Sequence, residues 1–415
     1  MVIAGVRLVY LQTSQHEWLA KRARAQQLDG EPLSPVRGLI VDRQGRELAR
    51  SIDCDSFFAV PTEIENVDET AARLSVALKT DGAALASRLK AAKEANRAFL
   101  WLARKLDEEQ GRAVNELKIK GVYAMQEPKR RYPNGELAAH VLGFVGLDDK
   151  GLGGVEQIYN ASLVGEAGKF LVEGDARQKS YESFGVEPRP GQSIVLTIDQ
   201  TIQYVTEQSL AAAVERTHAK AGTAIVLDPR TGEILALANA PAFDPNDAAR
   251  AATSARLNQA LQNIYEPGST FKIVAYSGVL EEGLGKPDDH IDCQMGAITV
   301  AGRVIHDHAP YGSLTLTEAL AKSSNVAAIK MGLRLGDERM YGYIRRFGFG
   351  AKTGVELPGE TSGLVRPFER WQPSSIGSIA IGQEVGVTPL QVAAAFGAIA
   401  NDGVRIAPHI VRELR

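Results

Sequence analysis

The sequence predicts an α/β (α+β) protein of two domains behind a short N-terminal extension, and three observations carry that expectation. At 415 residues the chain exceeds one ordinary domain and falls short of three. Strand-like runs and helical patterns occur in both halves. The composition shifts near Gly191, which sets the extension at 1–30, one domain at 31–190 and a second at 191–415. With 44% hydrophobic and 23% charged residues the chain is expected to pack rather than stay disordered. Its 47 basic and 50 acidic residues offer no strongly basic face, so nucleic acid is not an expected partner.

The extension opens with a stretch, 1–12, that is apolar apart from Arg7 and is followed by the basic run 21–24. A bilayer core needs about 20 apolar residues, so this stretch reads as the exit end of a spanning helix. No small-residue cleavage site marks an export peptide. Residues 17–28 suit a charged helix, which Pro32, Pro35 and Gly38 end in an extended linker. Residues 39–41 and 47–49 flank a polar turn at 42–46 and read as a short hairpin. From 67 to 117, Ala, Leu, Lys and Glu at helical spacing (Leu74, Leu78, Leu85, Leu89) predict helices. Glycines crowd between 132 and 159, predicting turns and close backbone approaches.

The second domain starts with a strand at 194–198, and Asp199 suits the N-cap of a long helix through Val214. Two β-rich runs, 223–227 and 234–238, surround Asp228-Pro229-Arg230-Thr231-Gly232 and predict an antiparallel pair. Helical patterns follow at 270–282, 315–335, 337–347 and 388–400. Cys54 and Cys293 lie far apart with no C-x-x-C spacing, so neither a zinc site nor a disulfide framework is expected, and both read as buried small apolar groups.

Chemistry concentrates in Glu266-Pro267-Gly268-Ser269-Thr270-Phe271-Lys272, a turn running into an apolar helix. Backbone N–H groups at a helix start lack partners and can hold a developing oxyanion, while Lys272 sits three residues after Ser269, on the same helix face. A serine attacks only when a base takes its proton, and a lysine serves as that base only when its pKa is lowered, so a buried amine is required. The S-x-x-K spacing alone is common and also suits a capping serine with a surface lysine. A second element, Ala321-Lys322-Ser323-Ser324-Asn325, follows an amphipathic helix and sets Ser323 and Asn325 on one side of a tight loop. A hydroxyl beside Lys272 can relay a proton to a leaving amine, and an Asn amide can orient the lysine and a peptide carbonyl.

The S-x-x-K and S-x-N pair, in this order, resembles the signatures of penicillin-binding proteins and β-lactamases. The likeness extends along nearly the whole chain. Arg37-Gly38 through Ala49 is similar to the signature of the N-terminal pedestal of class B penicillin-binding proteins, and Gly154-Val155-Glu156 to its G-x-E element. Asn239-Ala240-Pro241, Ile305-His306-Asp307, Leu357-Pro358-Gly359-Glu360 and Gly382-Gln383 with Val387-Thr388-Pro389-Leu390-Gln391 resemble landmarks of the transpeptidase domain, closest to the cell-division type.

That resemblance implies an elongated pedestal followed by a β-lactamase-like serine acyl-transfer domain. It further implies a peptidoglycan D,D-transpeptidase in which Ser269 attacks the D-Ala-D-Ala carbonyl of a stem peptide with Lys272 as base. Ser323 and Asn325 would complete the catalytic set, and Ser324 and Thr270 would contact substrate. No metal or organic cofactor is implied. The implied partners are stem peptides, β-lactams, a membrane-embedded glycosyltransferase and other divisome proteins. The implied location is a single-pass anchor in the bacterial cell membrane, with the catalytic domain outside. Two rivals remain open: a D,D-carboxypeptidase or β-lactamase in which water resolves the acyl-enzyme, and a catalytically inactive β-lactam sensor or scaffold.

The family's third signature, K-T-G on a strand lining the cleft, is not found where the resemblance places it, beyond the V-T-P-L-Q helix. Lys352-Thr353-Gly354 has the letters but precedes Leu357-Pro358-Gly359-Glu360 and reads as a loop. The sequence therefore reads as one cut short at both ends, with only two strands of a five-stranded sheet and one open edge. His306 and His308 alternate as on a strand and make a weak metal-site candidate without a third ligand. The basic run Lys129-Arg130-Arg131 reads as a solvent-facing surface.

Overall fold

The computed structural model describes residues 28–33, 35–97, 99–174 and 180–415, so the helices expected within 1–27 lie outside the described residues. The first half runs through β1 (Leu28–Leu33), β2 (Ile40–Val41), β3 (Glu47–Ala59), α1 (Val67–Leu78), α2 (Gly82–Glu94), β4 (Leu100–Ala103), α3 (Glu108–Glu116), β5 (Val122–Arg131), β6 (Gly168–Gly174), β7 (Ser180–Val186) and β8 (Ile194–Leu196). The predicted hairpin is β2 and β3, closed where Asp42 accepts from the backbone N–H groups of Gln44 and Arg46, both at 2.9 Å. Asn66 and Asp81 cap α1 and α2, whose Leu74, Leu85 and Leu89 bury against Phe57 of β3.

Several expectations are corrected by the fold. Part of the expected linker is β1, antiparallel to β6, because its backbone finds a partner some 140 residues later. The expected helical stretch 67–117 is interrupted by β4, which pairs with β3 through Phe58 and Trp101. Arg130 is not solvent-facing: it is 5% exposed and donates to Glu156, which Arg37 also grips, each at 2.6 Å. The pedestal's R-G and G-x-E elements therefore meet at one buried carboxylate. Of the cysteines, Cys293 is buried as expected but Cys54 is only half-buried, its thiol turned to the Glu127 carbonyl.

The glycine-rich segment contains single helical turns at Ala139–Leu142 and Gly154–Ile158, and another follows it at Asn160–Val164. Its close approaches are real, since a Cβ on Gly143 would lie 1.8 Å from the Gly153 carbonyl oxygen.

The second half adds α4 (Gln200–Thr217), β9 (Gly222–Leu227), β10 (Ile234–Ala240), α5 (Lys272–Glu281), β11 (His290–Asp292), β12 (Ala297–Val300), β13 (Arg303–His306), β14 (Ser313–Thr315), α6 (Leu316–Ala321), α7 (Asn325–Leu335), α8 (Asp337–Arg346), α9 (Ser375–Ala380), α10 (Pro389–Ala400) and β15 (Val411–Leu414). Asp199 caps α4 as expected, accepting from the N–H groups of Thr201 and Ile202. Among the described residues β9 and β10 make a two-stranded antiparallel sheet. The single helix expected at 315–335 is two, α6 and α7, because residues 322–324 turn between them, and α9 lies in a segment that showed no helical pattern.

The halves share a sheet of order β15-β8-β2-β3-β4: β8 runs parallel to β2 of the hairpin and antiparallel to β15. Charges lock this junction. Arg46 bridges Asp42 at 2.6 Å and Asp199 at 3.2 Å, and Arg43 reaches Glu233 at 3.1 Å. Burial alone would raise the Asp42 carboxyl, but Arg46 and three backbone N–H groups hold it below the usual carboxylate range. Among the described residues no helix is long and apolar enough to cross a membrane.

Candidate active site

The site begins where a one-turn 3-10 helix, Gly268–Phe271, runs into α5. Gly268 enters the turn at φ +58°, and its N–H donates to the Gly382 carbonyl at 3.0 Å. A Cβ on Gly382 would sit 2.1 Å from the Gly268 oxygen, so Gly382 must be glycine for the two backbones to touch. Ser269 rides on this braced turn and is exposed. Phe271, Val274, Ala275 and Val279 bury the inner face of α5 against α7 and α8, which fixes the turn to the core.

Lys272 is the polar exception on that helix, only 1% exposed. Its amine donates to the Ser323 carbonyl at 2.5 Å and to the Ser323 hydroxyl at 2.9 Å. Burial pulls its pKa down to about 8, and the negative charge of Asp307 works against that fall. The site thus holds a lysine able to accept a proton near neutral pH.

The S-x-N loop is built for that contact. A capping box of Thr315 and Glu318 starts α6, and the helix stops at Lys322. Ser323 then adopts the left-handed region at φ +56°, uncommon for serine, and this conformation presents both its oxygens to Lys272. Asp307 holds the next residues: it accepts from the Ser324 hydroxyl at 2.8 Å, from the Val326 N–H at 3.1 Å and from the Asn325 N–H. A carboxylate at the start of α7 also complements the helix dipole. Nothing in the spacing of the sequence pointed to this role of Asp307, since it lies 17 residues from Ser324.

The other expected site residues fall differently. Ser324 is fully buried, and its hydroxyl is spent on Asp307 and on the Ala327 N–H, so it holds the loop rather than facing substrate. The Thr270 hydroxyl donates to the Pro267 carbonyl at 2.8 Å and closes the turn that carries Ser269. Asn325 is half-buried at the head of α7 and donates from Nδ2 to the His306 carbonyl at 2.8 Å rather than to Lys272. His308 lies beyond the end of β13 and meets the Tyr311 hydroxyl at 2.8 Å, so the two histidines do not share a strand face. Among the described residues no group of three His, Cys, Asp or Glu is placed to hold a metal ion. Lys352-Thr353-Gly354 is a loop as expected: the Glu360 carboxylate accepts from the Thr353 hydroxyl at 2.6 Å and from the Gly354 N–H at 3.1 Å.

Comparison with known proteins places the chain in a family. Residues 222–415 match the family described as penicillin binding protein transpeptidase domain, and residues 32–196 match the penicillin-binding protein dimerisation domain. A probable peptidoglycan D,D-transpeptidase PenA of Neisseria meningitidis is 35% identical over 97% of this chain and 70% of its own length. The peptidoglycan D,D-transpeptidase FtsI of Escherichia coli is 31% identical over 96% of this chain and 68% of its own length. Among solved structures, penicillin binding protein 3 of Mycobacterium tuberculosis complexed with aztreonam superposes at a TM-score of 0.67 with 32% identity, covering 92% of this chain and 68% of that one.

Proposed function

This chain belongs to the class B penicillin-binding proteins, and we propose on that footing that Ser269 is its nucleophile and Lys272 the base that activates it. Its activity is that of a peptidoglycan D,D-transpeptidase. The observation that carries the residue assignment is the buried Lys272 amine, its pKa lowered, hydrogen-bonded to Ser323 and one turn from an exposed serine. In the first half-reaction the Ser269 hydroxyl gives its proton to the neutral amine while its oxygen bonds to the penultimate D-Ala carbonyl. The peptide C–N bond then breaks, the departing D-Ala nitrogen takes a proton through Ser323, and an ester remains on Ser269. In the second, a primary amine of a neighbouring stem peptide attacks the ester carbonyl, an N–C bond forms as the neutral Lys272 amine takes a proton from the attacking nitrogen, and the ester C–O bond breaks with that proton passed from Lys272 to the departing Ser269 oxygen. A β-lactam would enter the same first step and stay as the acyl-enzyme.

The likeness of Ile305-His306-Asp307 and Gly382-Gln383 to the division-type enzymes, together with the FtsI relative, supports a role in septal wall synthesis beside a glycosyltransferase and other division proteins. The apolar stretch at 1–12 supports attachment to the cell membrane, with the catalytic domain on the outer side where stem peptides are found. Measuring D-Ala release from a stem pentapeptide with and without an acceptor amine tests the reaction class. A cross-linked product that grows with acceptor concentration is expected, and release without any such product would identify a carboxypeptidase instead.

A further inference from the structure

We propose that the groove leading up to the nucleophile turn receives the acceptor strand's reactive arm, an aliphatic chain ending in a primary amine, and that Glu266 holds the amine; this rests on the transpeptidase reading above. The residues before Ser269 are not a loose loop. Tyr265 exchanges backbone hydrogen bonds with Val387 at 3.1 and 3.0 Å, and Gly386 with Leu364 at 2.8 and 2.7 Å. These paired segments floor a groove of about 410 Å³ that includes Glu266, three residues before Ser269 and two before the start of the braced turn.

The groove's walls are apolar and exposed. Ile264, Tyr265 and Leu364 are 48%, 43% and 61% exposed, side by side on a fixed backbone. Gly386 keeps the floor low, since a Cβ there would meet the Ile264 side chain at 2.4 Å. Large apolar groups held in the open at the edge of a catalytic turn suit an aliphatic ligand.

The charged end matches an amine. Glu266 is exposed and accepts the Glu384 N–H at 2.9 Å through one oxygen, which fixes its carboxylate. Glu384 itself, at φ +59°, is already committed to Arg366 and Ser375. Arg366 is therefore spoken for, and among the described residues no cation pairs with Glu266. A carboxylate accepts from a primary amine in either protonation state, so Glu266 can hold the group on arrival and aim it once it is neutral. Methylenes along Tyr265 and Leu364 would set the reach of the arm. Glu266 is thus a positioning residue for the attack on the Ser269 ester, and the bonds made and broken are those of the second half-reaction.

The partition of one acyl-enzyme between transfer and hydrolysis tests this, because the ratio does not depend on how fast the acyl-enzyme forms. With the full chain and a D-alanyl thioester donor, the acceptors are a tripeptide bearing a free lysine side-chain amine and free D-alanine. Glu266→Gln is expected to lower the transfer-to-hydrolysis ratio for the lysine-bearing acceptor about fivefold, the scale of one exposed ion pair. Glu266→Asp should recover part of the loss. Leu364→Ala, at an exposed site that does not threaten folding, should erode the preference for the long-armed acceptor over D-alanine. Ratios for all three variants equal to wild type would overturn the proposal while leaving the transpeptidase reading standing. A wild-type enzyme that only hydrolyses the donor at every acceptor concentration would overturn both.

Discussion

Lys272 places its amine 2.9 Å from the hydroxyl and 2.5 Å from the carbonyl oxygen of Ser323, although 51 residues separate the two in sequence. The contact joins the helix that carries Ser269 to the loop that carries Asn325. It also buries a titratable amine where burial is the main influence on its charge.

With the Lys272 pKa pulled down to about 8 by burial, penicillin acylation is expected to rise with pH and to level off above about 8. The same depression sets a stability effect. The cost of burying the ammonium is fully present below the folded value and is relieved as pH climbs toward the ordinary lysine value of 10.5. Lys272→Met removes both base and cost, so it should slow acylation by at least about 100-fold and melt no lower than wild type. Stopped-flow acylation and thermal unfolding of the same preparations check the pair, and an acylation rate that is flat from pH 6 to 9 would remove the lysine from the role of base.

Asp307 acts on the site in two ways, by holding the S-x-N loop and by favouring the charged form of Lys272. Asp307→Asn should destabilise the chain by about 1–2 kcal/mol, the range for a lost helix cap and dipole partner. It should also move the midpoint of the acylation profile below that of wild type, because the charge that props up the lysine is gone. A midpoint that does not move would show that the carboxylate does not sense the amine.

Lys352-Thr353-Gly354 carries the letters of a catalytic signature, yet Glu360 absorbs its backbone and hydroxyl donors. Lys352 is exposed, and Lys352→Ala is expected to leave the penicillin acylation rate within about twofold, as for a surface substitution away from the chemistry. A loss of 100-fold or more would make that loop part of the site.

Legibility in the sequence followed the range of the interactions. Ser269 and Lys272 could be singled out together because they stand three residues apart where a turn runs into α5, and the Asp199 cap, the β2–β3 hairpin and the β9–β10 pair rest on neighbours in the chain. What escaped depends on distant partners. Arg130 looked like surface because Glu156, 26 residues on, is what buries it. β1 looked like linker because β6 completes it, and β4 hid among helical neighbours because its hydrogen bonds go to β3. Ser324 looked like a substrate contact until the loop folded it onto Asp307. Local rules read the nucleophile turn well; they had no access to the carboxylate that holds the loop across from it.

The most direct measurement is the intact mass of the chain and of its Ser269→Ala variant after exposure to benzylpenicillin, followed by peptide mapping. A single covalent adduct on the wild type, mapped to the peptide containing Ser269 and absent from the variant, is the expected result. An adduct of the same mass on Ser269→Ala, or one mapped to another residue of the wild type, would contradict the assignment of this serine as the nucleophile.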